Sequence, residues 1–186
     1  MPMTDASATD NADLAALVRT IPDHPKPGIL FRDISTLLLD GDGFRQTIDR
    51  LAALVEGEDY DLIAGLEARG FIIASALSYV LGLGKIMLRK PGKLPGQRVG
   101  IDYMLEYGTD RIEMHADAVR PGQRVLLVDD LIATGGTALA AVELLRGAGA
   151  VVETALFVID LPDLGGAARL REAGIDERHL IAFAGE

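Results

Sequence analysis

Val125-Leu126-Leu127-Val128 runs directly into two carboxylates, Asp129 and Asp130, and then into Leu131-Ile132-Ala133-Thr134-Gly135-Gly136-Thr137. The four apolar residues are a buried-strand signal, and the helical pattern that starts at Ala138 closes the segment. A strand, a glycine turn and a helix start offer free backbone N–H groups and the positive end of a helix dipole, a combination that binds phosphate. Gly135 and Gly136 allow close backbone approach, and Ala133, Thr134 and Thr137 extend the cradle with N–H and hydroxyl donors. Two acids beside such a cradle would repel the phosphate, so they must face another part of the ligand. Ribose hydroxyls, which donate to carboxylates, meet that need, as does a magnesium ion reached through water. A nucleotide-hydrolase strand would require a partner G-x-x-x-x-G-K-[ST]. None exists, because Gly84-Lys85 is followed by Ile86.

This run resembles the phosphoribosyl pyrophosphate signature of the type I phosphoribosyltransferases. That resemblance implies a substrate carrying a pyrophosphate, which needs cationic partners. Gly65-Leu66-Glu67-Ala68-Arg69-Gly70-Phe71 is a second strand end followed by a helix and is similar to the family's pyrophosphate loop. Arg69 could be an exposed turn residue or could grip a diphosphate with its planar fork, and the implied substrate favours the grip. Arg89-Lys90-Pro91-Gly92-Lys93 concentrates three cations at a strand end of an acidic protein. Arg89 and Lys93 are expected on the pyrophosphate, and Lys90 is read as a surface residue.

Two further segments look like the adenine-specific branch of the family. Tyr103-Met104-Leu105-Glu106-Tyr107-Gly108 places a carboxylate at a hairpin tip between aromatics. Glu106 is either a solubilising charge or, buried by lid closure, a base whose pKa desolvation raises toward neutrality. The resemblance selects the second role. In Pro27-Gly28-Ile29-Leu30-Phe31-Arg32-Asp33-Ile34, Phe31 can be core or can stack on a purine, while the backbone of Leu30 and Arg32 offers a donor and acceptor to an amidine edge. The resemblance implies a hood over the base. Where the branch commonly continues Thr-Pro-Leu, this chain has Ser35-Thr36-Leu37 and loses a proline's stiffness.

The resemblance spans roughly Leu14 to Phe183 and implies that adenine and phosphoribosyl pyrophosphate give AMP and pyrophosphate, in purine salvage. Catalytic roles fall on Glu106, Asp129 and Asp130. Substrate contacts fall on Leu30, Phe31, Arg32, Glu67, Ala68, Arg69, Gly70, Arg89, Lys93, Leu131 and the segment Ala133, Thr134, Gly135, Gly136, Thr137. Leu131 would pack on the purine face opposite Phe31. Magnesium would be held mainly by the substrate, with no protein-built metal site. A homodimer is implied by the family alone. The Asp129-Asp130 pair counts against the hypoxanthine–guanine branch, which typically has Glu-Asp. A xanthine-type salvage transferase should lack the Glu106 and Phe31 segments. A non-catalytic regulator that senses phosphoribosyl pyrophosphate and binds DNA would need a basic module, which the acidic N-terminal segment does not supply.

The elements that must position these residues are legible from periodicity. Helical spacing of Phe44, Ile48, Leu51 and Val55 marks an amphipathic helix over 43–56. Strands at 62–65, 86–89, 125–128 and 151–159 alternate with helices at 71–80 and 137–146, the last capped by Gly147. That alternation predicts a single α/β domain with a mostly parallel central sheet flanked by helices and a ligand at the strands' carboxyl ends. The segment 99–119 interrupts it as a β-hairpin placed to act as a lid. A short helix is expected over 13–19, a stiff extended connector over His24-Pro25-Lys26-Pro27-Gly28, a small N-terminal hood over about 13–40, and a disordered tail over 1–12. The domain then occupies 13–186.

Composition narrows the class. The 186 residues are enough for one domain, 49% are hydrophobic, and the net charge of −10 argues against nucleic acid. There is no cysteine, which excludes disulfides and thiol nucleophiles, and the three histidines are too scattered for a metal motif. The longest weakly polar stretch, 70–84, is too short to span a bilayer. No secretory pattern opens the chain, so a cytoplasmic protein with no membrane partner is expected.

Overall fold

A computed structural model describes residues 11–104 and 108–185. Five parallel strands form the central sheet: β3 (Leu62–Leu66), β4 (Gly84–Leu88), β7 (Val125–Ile132), β8 (Thr154–Asp160) and β9 (Asp176–Ala182), in the order β4-β3-β7-β8-β9. The first crossover moves one way along the sheet and the later ones move the other way. The reversal therefore falls between β3 and β7, and ligands of open α/β sheets bind at the carboxyl ends beside such a switch.

Each sheet face carries its own core. On one side α3 (Gly41–Ala53) and α4 (Gly70–Leu81) pack with the short helices α1 (Ala12–Ala15) and α2 (Ser35–Leu39) against Ile63, Leu126, Val128 and Leu156. On the other side α5 (Gly136–Gly147) and α6 (Gly166–Glu172) cover Leu127, Ala155 and Phe157. The alanines of α5 (Ala138, Ala140, Ala141) are all buried, so this helix lies close on the sheet. The sequence of β7 is explained by burial on both faces: Val125 to Val128 are fully buried. α3 begins where the Asp40 carboxylate accepts a hydrogen bond from Gly43 N at 2.7 Å.

The hairpin expected over 99–119 is β5 (Arg98–Met104) paired with β6 (Thr109–His115), and it joins the end of β4 through the reciprocal backbone bonds of Arg89 and Glu113 at 2.8 Å. The hood is a two-stranded antiparallel sheet, β1 (Arg19–Pro22) with β2 (Leu30–Asp33).

Four expectations need correction. The helix predicted over 13–19 covers only Ala12–Ala15, because Arg19 onward pairs with β2 and Arg19 is drawn to Asp33. The tail predicted over 1–12 is anchored at its end: Asn11 Nδ2 donates to the Leu180 carbonyl at 2.9 Å, and Arg50 donates to Asn11 Oδ1 at 2.7 Å. Residues 1–10 lie outside the described residues. The strand predicted to stop at Val128 runs on through both acids to Ile132, since β8 continues its ladder as far as Ile132↔Asp160. The strand predicted from Val151 starts at Thr154, and Val151 makes only an isolated bridge to Arg124. Thr20, Thr36 and the 3₁₀ turn Pro162–Leu164 belong to elements that periodicity did not mark, as do α6 and β9.

Asp33 ties the hood to the body. Its carboxylate accepts from Ser35 N at 2.9 Å and from Arg19 Nη2 at 2.5 Å, and these bonds, Ser35's first, hold its pKa at about 2 against an ordinary 3.8. The folded state therefore favours the charged form, and the unfolded chain takes up the proton first as pH falls. The melting temperature of the wild type should exceed that of Asp33→Asn by its full margin above pH 3.8. The margin should close as pH falls to about 2, and thermal melts across that range would show it.

Candidate active site at the carboxyl end of the sheet

A cavity of about 280 Å³ opens at the switch between β3 and β7, lined by 67–69, Lys90 and the continuous run 129–138. Glu67, Ala68, Arg69, Asp129, Asp130, Leu131, Ala133, Thr134, Gly135, Gly136 and Thr137 all face this one space. Gly135 sits at φ +80 as the residue before α5, where a side chain would be strained. The first N–H groups of α5 lack intrahelical partners, so the loop presents donors to an anion.

The two acids behave differently. Asp130 is 7% exposed and accepts a hydrogen bond from Arg69 Nε at 2.5 Å. Asp129 takes a bond from the Asp130 N–H at 2.8 Å, and burial, then the adjacent Asp130 charge, push its carboxyl well above the usual range. Arg69 pays for partial burial but is held charged by Asp130 and Asp129. Its guanidinium also lies 5.5 Å from the centre of the Phe31 ring, which links the hood to the acid pair. Phe31 is half-buried, not core; it stands edge-on to His24 at 5.1 Å. Leu30 and Arg32 flank it on β2 outside the cavity lining, and Arg32 reaches back to the Ala184 carbonyl at 3.2 Å and the Phe183 ring at 4.5 Å.

Gly70 lies against the acids. A Cβ there would stand 2.5 Å from Asp129 Oδ1 and 3.2 Å from Asp129 Cα, so only glycine lets α4 start this close to β7. The Glu67–Ala68 peptide at the same turn is cis. Arg89 does not point into the cavity; it pairs with Glu67 at 3.2 Å and donates to the Lys93 carbonyl at 3.2 Å. Burial alone would raise the Glu67 carboxyl, but Arg89 and the Lys90 N–H hold it below its ordinary value. Lys93 is exposed and does not line the cavity.

Lys90 overturns its reading as a surface residue. It lines the cavity, ion-pairs with Asp110 and donates to Tyr103 Oη at 3.2 Å. Burial would lower its pKa, but the bonds to Asp110 and Tyr103 raise it. Thr137 Oγ1 in turn meets Tyr103 Oη at 3.2 Å, so the hairpin is wired to both the cation and the start of α5. Its partner Asp110 is twenty positions away, across a strand and a turn, and no local pattern signals that pairing. Glu106 lies outside the described residues. Among the described residues no cluster of three or more metal-binding side chains occurs, and no helix is long and apolar enough to cross a membrane.

Residues 36–173 match the model of the phosphoribosyl transferase domain. The chain is 58% identical over 177 residues to the adenine phosphoribosyltransferase of Bradyrhizobium sp. (strain ORS 278), covering 95% of this chain and 99% of that one. It belongs to the adenine phosphoribosyltransferase family. Solved adenine phosphoribosyltransferases share the fold: that of Thermoanaerobacter pseudethanolicus superposes with TM-score 0.88 at 46% identity, covering 92% of this chain and 99% of that chain. The Saccharomyces cerevisiae enzyme, solved in complex with adenine, gives TM-score 0.85 at 35% identity, covering 91% of this chain and 97% of that chain.

Gly70→Ala should cost about 1–3 kcal/mol of stability, the usual penalty for overpacking. Gly147→Ala is the control: nothing lies within 4 Å of its Cβ position, and the substitution should change stability by less than about 1 kcal/mol. Urea unfolding of the two variants tests the close approach of α4 to Asp129.

Proposed function

We propose that the chain transfers a phosphoribosyl group from phosphoribosyl pyrophosphate to adenine, releasing AMP and pyrophosphate in purine salvage. The observation that carries this reading is the convergence of Asp129-Asp130, loop 133–137 and Arg69 on one cavity at the sheet's switch point. The loop's N–H groups take the 5′-phosphate, and the paired carboxylates take the 2′ and 3′ hydroxyls. Arg69 leaves Asp130 for the pyrophosphate, exchanging one anionic partner for another. Lys90 already lines the cavity to share that anion, while Arg89 and Lys93, outside its lining, would have to turn inward to reach it.

Adenine N9 forms its bond to the anomeric carbon as the bond to pyrophosphate oxygen breaks. Positive charge on the ribose is favoured by Asp129 and Asp130, and negative charge on the leaving group by the cations. Glu106 takes the N9 proton. Phe31 and Leu131 hold the purine between them, with backbone groups of Leu30 and Arg32 on its edge. β2 has a partner on one side only, so alternate backbone groups point away from β1.

The donor set fits a magnesium ion carried by the substrate: two adjacent carboxylates are too few for a protein cage but suit water-mediated contact. Asp129 and Asp130 would reach it through water while the substrate holds it, and it would supply charge neutralisation of the pyrophosphate. The family resemblance extends the reading to a cytoplasmic homodimer, which sedimentation would measure.

A spectrophotometric screen of adenine, hypoxanthine, guanine, xanthine and uracil with phosphoribosyl pyrophosphate tests the assignment. Adenine alone should turn over well; equal turnover with xanthine or guanine would refute the base assignment. Asp130→Asn should fold and lose most activity, since the swap removes the charge and half the acceptor capacity. Glu106→Gln should bind both substrates and turn over about 10²–10⁴-fold more slowly, the usual range for a lost general base. A variant retaining half of wild-type kcat would leave Glu106 without that role.

A further inference from the structure

The loop that cradles the phosphate is itself held from behind by a segment 35 residues downstream at Arg169. Gly166 N donates to the Ala133 carbonyl at 2.9 Å, and Arg169 Nη1 donates to the Thr134 carbonyl at 2.7 Å. These are consecutive peptides, and both are trans, since the cis bonds of the described residues are at His24–Pro25 and Glu67–Ala68. In a planar trans peptide the C=O and the following N–H point in opposite directions. Drawing the oxygens of Ala133 and Thr134 toward α6 therefore turns the N–H groups of Thr134 and Gly135 away from it, to the side where 129–138 line the cavity.

The fit allows no slack. A Cβ at Gly166 would fall 2.3 Å from the Ala133 oxygen and 2.7 Å from Gly135 N, and a Cβ at Gly135 would fall 3.0 Å from Gly166 Cα. Two glycines are thus packed face to face, and Arg169 fixes the next carbonyl one turn along α6. We infer that Gly166 and Arg169 are positioning residues for the phosphate loop: they touch no substrate but aim two of the N–H donors that would meet the 5′-phosphate. Arg169 is exposed, and its guanidinium donates to the loop at the Thr134 carbonyl. The inference rests on the reading of loop 133–137 as the phosphate site.

Arg169→Ala and Arg169→Lys test it. The alanine variant should melt near the wild-type temperature and raise KM for phosphoribosyl pyrophosphate roughly tenfold, the worth of one charge-assisted hydrogen bond, with kcat and the KM for adenine little changed. Lysine, which keeps a charged donor, should restore most of the affinity. Amide NMR with ribose 5-phosphate as the probe separates the positioning role of Arg169 from the binding role of the loop. In the wild type the Thr134 and Gly135 amide signals should shift on titration, and in Arg169→Ala those shifts should need about tenfold more ligand. Equal titration of wild type and Arg169→Ala would overturn the positioning role while leaving the phosphate loop in place. No shift of these amides in the wild type would overturn the loop reading, and the inference with it.

Discussion

Two carboxylates on consecutive residues at the end of a buried central strand create an electrostatic demand that organises the surrounding structure. Unit charges about 4 Å apart repel by about 4 kcal/mol at an effective dielectric of about 20, so the pair cannot stay doubly charged without a cation or a proton. Both remedies are present. Arg69 holds Asp130, and Asp129 is pushed toward its neutral form by burial and by Asp130 beside it. The same demand explains Gly70, whose missing side chain lets the Arg69 turn reach the acids, and the placement of Phe31 over the guanidinium. In the proposed reaction a cationic ribose and its hydroxyls would take over that demand, which would free the arginine for an anion.

The remaining parts of the site are joined to this centre by polar contacts as well as by apolar packing, Ile112 and Met114 of the hairpin being buried in the core. Glu67 holds Arg89 at the β4 end, and Asp110 and Tyr103 hold Lys90 from the hairpin. Tyr103 also meets Thr137, so a movement of the hairpin is felt at both the cation and the glycine loop. The hood depends on Arg19 with Asp33 and on Arg32 with the C-terminal segment. Half-exposed pairs of this kind contribute little to stability, about 0–1 kcal/mol each. That is consistent with elements that must shift around a ligand over a rigid, doubly covered sheet.

The central sheet was legible in the sequence because its strands are apolar on both faces and its helices repeat at 3.6 residues. Val125 to Val128 and the Phe44–Val55 stripe show this directly. The acid pair and glycine loop were legible because they stand in one unbroken run, Val125 to Thr137, whose residue types and order carry the signal without reference to any distant segment. What stayed hidden depends on long-range contact. Arg19–Pro22 looks like a helix end until its partner Leu30–Asp33 is in place. Lys90 looks like surface charge until Asp110 arrives from the hairpin. Gly166 and Arg169 sit in an alanine-rich stretch with no chemical signature, and only their bonds to Ala133 and Thr134 reveal them. The strand's continuation through Asp129 and Asp130 was masked by their polarity, which the adjoining β8 ladder overrides.

The central claim is that Arg69 exchanges Asp130 for pyrophosphate. A crystal structure with magnesium and phosphoribosyl pyrophosphate bound tests it most directly. The expected result is an Arg69 guanidinium on the pyrophosphate, out of hydrogen-bond reach of Asp130, with both Asp130 oxygens turned to the ribose hydroxyls. An Arg69 still on Asp130 at 2.5 Å, with the pyrophosphate held by other groups, would contradict it.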